Sequence, residues 1–155
     1  MAHHLPDYDY SQPGLYFVTI CVLHHRLIFG KIIEGQMHLN PLGEMAQSRW
    51  NTLTELFPHI KLHESVIMPN HMHGIIELVD LDIIPNPRAP LEKIVRAYKG
   101  RSTYAIRRTN GKPWFAWEED FFDIVVRHEK ILHEFRQYIL NNPAKWQEDR
   151  LYKRY

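Results

Sequence analysis

The sequence predicts an α+β fold: a ferredoxin-like sandwich whose antiparallel four-stranded central sheet carries helices on one face, with a small hairpin and a C-terminal helix added. Three observations predict it. Four segments have the apolar, β-branched and aromatic content of main strands. Three longer segments repeat apolar residues at spacings of three and four. The two kinds interleave along the chain, the arrangement that folds helices onto an antiparallel sheet.

Taken in order, residues 1–14 read as an irregular arm, polar and aromatic with Pro6, Pro13 and Gly14. Leu15 to Val22 is the first strand. Lys31 to Leu39 reads as a hairpin turning at Glu34-Gly35. Asn40 caps a helix with Pro41 at its first position, and Leu42, Met45, Ala46, Trp50, Leu53 and Phe57 mark its apolar face up to Pro58. Ile60 to Met68, with imperfect alternation, is the second strand. Pro69-Asn70 turns the chain, and His71 to Val79 returns antiparallel. Asp80 to Pro90, with three prolines, is an irregular connection. A helix from Leu91 to Arg108 follows, with an interruption expected near Gly100. Gly111-Lys112-Pro113 ends it, and Trp114 to Trp117 packs beneath it. Phe121 to Val126 is the fourth strand, and Glu129 to Asn141 the last helix, closed by Asn142-Pro143.

A chain of 155 residues is the size of one domain, so 1–155 is expected to fold as a single unit. Apolar content of 45% and charged content of 24% exclude disorder. Cys21 is the only cysteine, so no internal disulfide and no Cys/His zinc framework can be written. Apolar runs such as Leu15 to Leu23 are too short to span a membrane, and no basic-then-apolar leader opens the chain. A cytoplasmic setting without a membrane partner is expected. A net charge of +1 argues against indiscriminate coating of nucleic acid, but not against a local basic face.

The chemistry centres on His71-Met72-His73. On a strand these histidines point the same way, making a two-imidazole platform. Such a pair is more often packing than ligation. Here Ile67, Met68, Met72, Ile75 and Ile76 make the segment too apolar for a surface strand, and buried imidazoles need partners. Tyr138 and Asn142, four apart on the last helix, share a face and offer a phenol and an amide oxygen. Singly, a core aromatic and a helix cap explain them. Two histidines with an amide oxygen form a donor set suited to Mg²⁺ or Mn²⁺, with positions left for phosphate oxygens. Between residues 88 and 112 the charge is one-sided, with Arg96, Lys99, Arg101, Arg107 and Arg108 among eight basic residues against Glu92. That is either a solvated helix face or a surface for phosphate.

Val66 to Ile76, containing Met68-Pro69-Asn70-His71-Met72-His73, together with Tyr138-Ile139-Leu140-Asn141-Asn142-Pro143, resembles the REP-associated tyrosine transposases, a branch of the single-tyrosine HUH transposases. Leu15 to Ile20, Leu39 to Glu44, Tyr98-Lys99 and Trp117 to Arg127 agree in order, so the resemblance covers nearly the whole chain. It implies a metal-dependent endonuclease and strand transferase acting on single-stranded DNA near a hairpin. Carried over by position, Tyr138 is the nucleophile, forming a 5′-phosphotyrosine. His71, His73 and Asn142 hold Mg²⁺ or Mn²⁺. For such a DNA substrate the basic residues Arg96, Lys99, Arg101, Arg107, Arg108 and Arg127 are the expected contacts, on the strength of their charge. The chain departs from the family at Glu118-Glu119-Asp120, where an acidic cluster stands against any nearby phosphate.

Two other readings stand beside this one. A domesticated protein of the same fold would bind hairpin DNA or RNA without cutting it. An unrelated metal-dependent hydrolase would need a carboxylate in the site, and no acidic residue has a spacing that nominates it. The oligomeric state is open between a monomer and a homodimer that shares its sites.

Overall fold

The structure is a computed structural model that describes residues 4–80, 89–109 and 112–155. Most of the connection expected between Asp80 and Pro90 lies outside the described residues, as does Gly111. Strand β1 spans Gly14–Cys21. The hairpin is β2 (Gly30–Ile33) with β3 (Gln36–Leu39), then α1 (Pro41–Asn51) and the single turn α2 (Leu53–Leu56). Strands β4 (Ile60–Met68) and β5 (His71–Leu78) precede α3 (Leu91–Arg107), and β6 (Phe122–Val126) leads into α4 (Glu129–Asn141). A 3₁₀ segment over Pro143–Glu148 follows.

The main sheet is ordered β4-β5-β1-β6 with every neighbour antiparallel, and β2-β3 forms a separate two-stranded sheet. Helices α1 and α3 cover one face. There Trp50 and Tyr98 meet edge to face at 5.2 Å over Val18, Ile20, Met72 and Ile76. Helix α4 covers the other face, where Phe17, Ile75, Val126 and Ile139 form a smaller core. Alternation along β5 therefore sends Met72, Gly74 and Ile76 toward α1, and His71, His73 and Ile75 toward α4. Gly74 is required by the first of these contacts: an added Cβ would stand 2.4 Å from the buried Trp50 ring.

Several boundaries differ from expectation. The helix expected over Leu42 to Phe57 breaks at Thr52 (φ −88°, ψ 0°), leaving α2 as one turn before Pro58. Asn40 caps α1 as expected, its Oδ1 accepting from the Gly43 amide at 2.9 Å. No interruption occurs at Gly100. Tyr98, Ser102 and Ile106 are buried on either side of that position and hold α3 to the core as one helix. Phe115 and Trp117 are buried beneath α3, whereas Trp114 is exposed. The imperfect alternation of β4 is a register shift between Leu62 and Ser65. It lets two consecutive residues, His63 and Glu64, both reach α4.

Candidate active site

Three contacts seat α4 on the sheet. Phe135 stacks on Phe17 at 4.4 Å, and Arg136 donates to Glu64 Oε1 at 3.0 Å and reaches His63 Nδ1 at 2.9 Å. His63 is in turn tied to Glu77 at 2.8 Å. This docking brings Tyr138 over β5, its ring 5.3 Å from that of His73 and 6.0 Å from that of Phe17. Asn142, the C-cap of α4, is buried, while Tyr138 is 46% exposed. Both histidines, Tyr138 and Asn142 thus meet within one chain.

The histidines are buried with their rings 4.8 Å apart. Their outer nitrogens are occupied: His71 Nδ1 lies 2.7 Å from Asn70 Oδ1, and His73 Nδ1 lies 2.8 Å from Thr19 Oγ1. Asn70 Nδ2 donates to the carbonyls of Leu151 and His25, which fixes its Oδ1 as an acceptor. The His71 proton therefore sits on Nδ1, leaving a lone pair on Nε2. Thr19 can hold His73 in the same tautomer.

The structure adds a residue that spacing does not reveal. Pro143 begins a turn that buries Trp146, and the chain folds back to place Asp149 at the histidines. Its Oδ2 is 3.6 Å from His71 Nε2, and one ligand atom from each of His71, His73 and Asp149 lies within 4.8 Å of the others. His71 Nε2, His73 Nε2, Asn142 Oδ1 and Asp149 Oδ2 are all buried without a hydrogen-bond partner among the described residues. Four converging donors with no protons to exchange are what a divalent cation would satisfy. The residues fit the implied metal, and the carboxylate absent from the sequence reading is supplied by Asp149.

Electrostatics follow from burial. Desolvation, then His73 and His25, hold the His71 pKa well below the ordinary range, with Asn142 opposing. Burial and the nearby Arg150 push His73 down to about 3. The Tyr138 pKa is raised by burial and secondarily by Asp149, against lowering by the Asn142 amide and Arg150. Tyr138 stands between two cavities. One, of about 640 Å³, is lined by Phe17, Phe122, Ile124 and Phe135. The other, of about 670 Å³, has His133, Gln137, Asn141 and Lys145 on its wall. Arg150 borders both.

The basic residues of α3 are elsewhere. Helix α3 packs in the core on the α1 side, so the sheet separates it from the histidines. Arg96, Lys99 and Arg107 border a cavity that they share with Glu118, Glu119 and Asp120. Lys99 Nζ donates to the Glu119 carbonyl at 2.7 Å, and Arg107 Nε to that of Phe115 at 2.7 Å. Arg108 lies 5.1 Å from the Tyr104 ring centre, and Arg101 is partly buried. Arg127, between β6 and α4, lies 6.0 Å from the ring centre of Tyr8. The acidic departure at 118–120 thus faces the basic helix.

Among solved structures, a REP-associated tyrosine transposase bound to a REP hairpin matches with a TM-score of 0.65 at 21% identity, over 94% of this chain and 74% of that one. The fold is that of a REP-associated tyrosine transposase. No protein-family model matches the sequence. A protein of Haemophilus influenzae, described as uncharacterized, is 34% identical over 164 residues, spanning 96% of this chain and 90% of its own length. The chain belongs to the family of that Haemophilus protein. Among the described residues, no helix is long and apolar enough to cross a membrane.

Proposed function

We propose that residues 1–155 form one catalytic domain, a metal-dependent endonuclease and strand transferase that acts on single-stranded DNA beside a hairpin. The observation that carries this reading is the convergence of His71 Nε2, His73 Nε2, Asn142 Oδ1 and Asp149 Oδ2, all buried and unpartnered among the described residues, next to the half-exposed Tyr138. A Mg²⁺ or Mn²⁺ ion held by these four residues would supply positive charge to a phosphate in transit. Asn70 and Thr19 keep the imidazoles presenting their free nitrogens. Tyr138 Oη releases its proton to solvent and attacks phosphorus, the bond to the 3′-oxygen breaks, and that oxygen takes up a proton from solvent and leaves as a hydroxyl. The product is a 5′-phosphotyrosine that a second 3′-hydroxyl can attack to rejoin strands. The Asn142 amide stabilises the phenolate against burial.

Nucleotides on either side of the cut are assigned to the two cavities beside Tyr138, with Arg150 between them as the phosphate contact. Arg127 and the α3 residues Arg96, Lys99, Arg101, Arg107 and Arg108 are assigned to the hairpin stem, reached around the sheet edge. Because every proposed catalytic group comes from one chain, a monomer is the catalytic unit.

The test is incubation with Mn²⁺ or Mg²⁺ and hairpin-bearing single-stranded DNA, followed by denaturing electrophoresis. A covalent adduct that Tyr138→Phe abolishes is expected, and adduct formation undiminished in that variant overturns the assignment. Asp149 also meets the ligand requirement of a plain metal-dependent hydrolase. That second reading predicts cleavage that survives in Tyr138→Phe with no adduct at any time. A protein that only binds hairpins predicts retained binding and no cleavage in any variant.

A further inference from the structure

We propose a second, thiolate-containing metal site for Zn²⁺, formed by Cys21, His25 and Glu118 at the end of β1. One ligand atom from each of these residues lies within 4.8 Å of the others, and His25 Nε2 stands 3.1 Å from Glu118 Oε1. The three come from separate stretches of chain that backbone bonds hold together. The Val22–Trp117 bridge, with Glu118 N donating to Cys21 O at 2.8 Å and Leu23 N to Ala116 O at 3.0 Å, sets Glu118 across from Cys21. His24 and His25 adopt φ of 60° and 53°, a left-handed conformation uncommon for non-glycine residues, and this turn brings His25 to the same point. The His25 amide donates to Val22 O at 2.8 Å, and Asn70 Nδ2 reaches the His25 carbonyl at 3.4 Å.

The thiol itself points to a ligand. Cys21 is 2% exposed and its thiol makes no hydrogen bond among the described residues, whereas His25 and Glu118 side chains are 45% and 28% exposed. A buried sulfur roofed by two solvent-reaching donors leaves room for water as a fourth ligand, the arrangement of an open zinc site. A lone cysteine does not announce such a site in sequence, and the usual multi-cysteine spacing is absent. Softness separates this trio from the histidine site: thiolate with imidazole and carboxylate selects Zn²⁺ over Mg²⁺. Burial, with Glu118 adding to it, pushes the free thiol up to about 12, so it is protonated before binding. Zinc entry forms the Zn–S bond and releases that proton to solvent. The bound ion would tie the end of β1 to the 22–25 turn and to segment 116–118. Through the His25 carbonyl it would also steady Asn70, the partner of His71.

The test replaces zinc with Co²⁺ in the full chain and records the near-ultraviolet absorption, with bound zinc counted by elemental analysis. Cys21 is the only cysteine, so a thiolate-to-cobalt charge-transfer band has one source. The band is expected in the parent protein and in a His71→Ala/His73→Ala variant, and is lost in Cys21→Ser and Cys21→Ala. His25→Ala and Glu118→Gln, at the solvent-reaching side, are each expected to weaken zinc binding at least tenfold while circular dichroism stays unchanged. No band in the parent protein, a band that survives Cys21→Ala, or zinc affinity unmoved by both His25→Ala and Glu118→Gln overturns the proposal. None of these readouts depends on DNA cleavage.

Discussion

The Asp149 carboxylate faces the His71 imidazole at 3.6 Å, and neither facing atom has a hydrogen-bond partner among the described residues. With the His71 proton held on Nδ1 by Asn70, Nε2 and Oδ2 present lone pairs to each other in a buried place. That arrangement repels unless a cation lies near both. Asp149→Asn keeps the shape and removes the charge, so Mn²⁺ affinity measured by calorimetry is expected to fall at least tenfold. An unchanged affinity would remove Asp149 from the ligand set.

Thr19 tests the outer layer of the same site. Its hydroxyl holds His73 Nδ1 at 2.8 Å, which keeps Nε2 free for a ligand role. Thr19→Val preserves volume but deletes the partner, and losses of this kind weaken metal binding by roughly 10–100-fold. Thr19→Ser restores the hydroxyl and is expected to recover most of the affinity. Equal Mn²⁺ binding by the Val and Ser variants would show that the contact does not orient the ring.

Gly74 links the site to the core. An added Cβ would meet Trp50 Cζ2 at 2.4 Å, and the fully buried indole is itself packed against Tyr98. Gly74→Ala is therefore expected to cost about 1–3 kcal/mol by overpacking, read as a lower urea midpoint with unchanged slope. Wild-type stability in that variant would mean that α1 shifts freely on the sheet. Helix α1 packs against both β4 and α3, which opposes such a shift.

What could be read from the sequence follows from how local each feature is. His71 and His73 share a face because strand period two alone decides it, and Tyr138 and Asn142 because helical period alone decides it. Their meeting required α4 to dock, which rests on Phe135, Arg136 and the β4 bulge. The imperfect alternation of β4 was the trace of that bulge. Asp149 left no trace, because its position depends on the turn after Pro143 and on Trp146 packing, neither of which has a period. Gly100 misled for the opposite reason: its local weakness is overridden by buried neighbours along α3, and the position faces open space. The basic run and the acidic cluster at 118–120 were each legible as charge, but their pairing was not, since it is tertiary.

The depressed histidines predict a pH dependence of the metal-free protein. Burial holds His71 well below the ordinary range, and burial with Arg150 pushes His73 to about 3. Unfolded, both titrate near about 6.5. The folded state thus binds fewer protons than the unfolded state between these values, so stability rises with pH across that window. Their contribution is fully present above about 6.5 and is lost as pH falls, by about 1.4 kcal/mol per unit for each fully neutral buried ring. For His73 the loss levels off near its folded value of about 3. Urea unfolding of chelator-treated protein at steps from about pH 7.5 to about pH 5 reads this slope. Asp149, beside His71, Arg150, which acts on His73, and His25, whose charge acts on His71, face the pair, so His73→Gln serves as the internal control. That variant is expected to lose part of the slope below pH about 6.5 while matching the parent above it. Added Mn²⁺ is expected to raise stability by a near-constant amount across this window, because both imidazoles are already neutral in the folded protein. A slope identical in parent and His73→Gln would mean that His73 titrates in the folded protein much as it does in water.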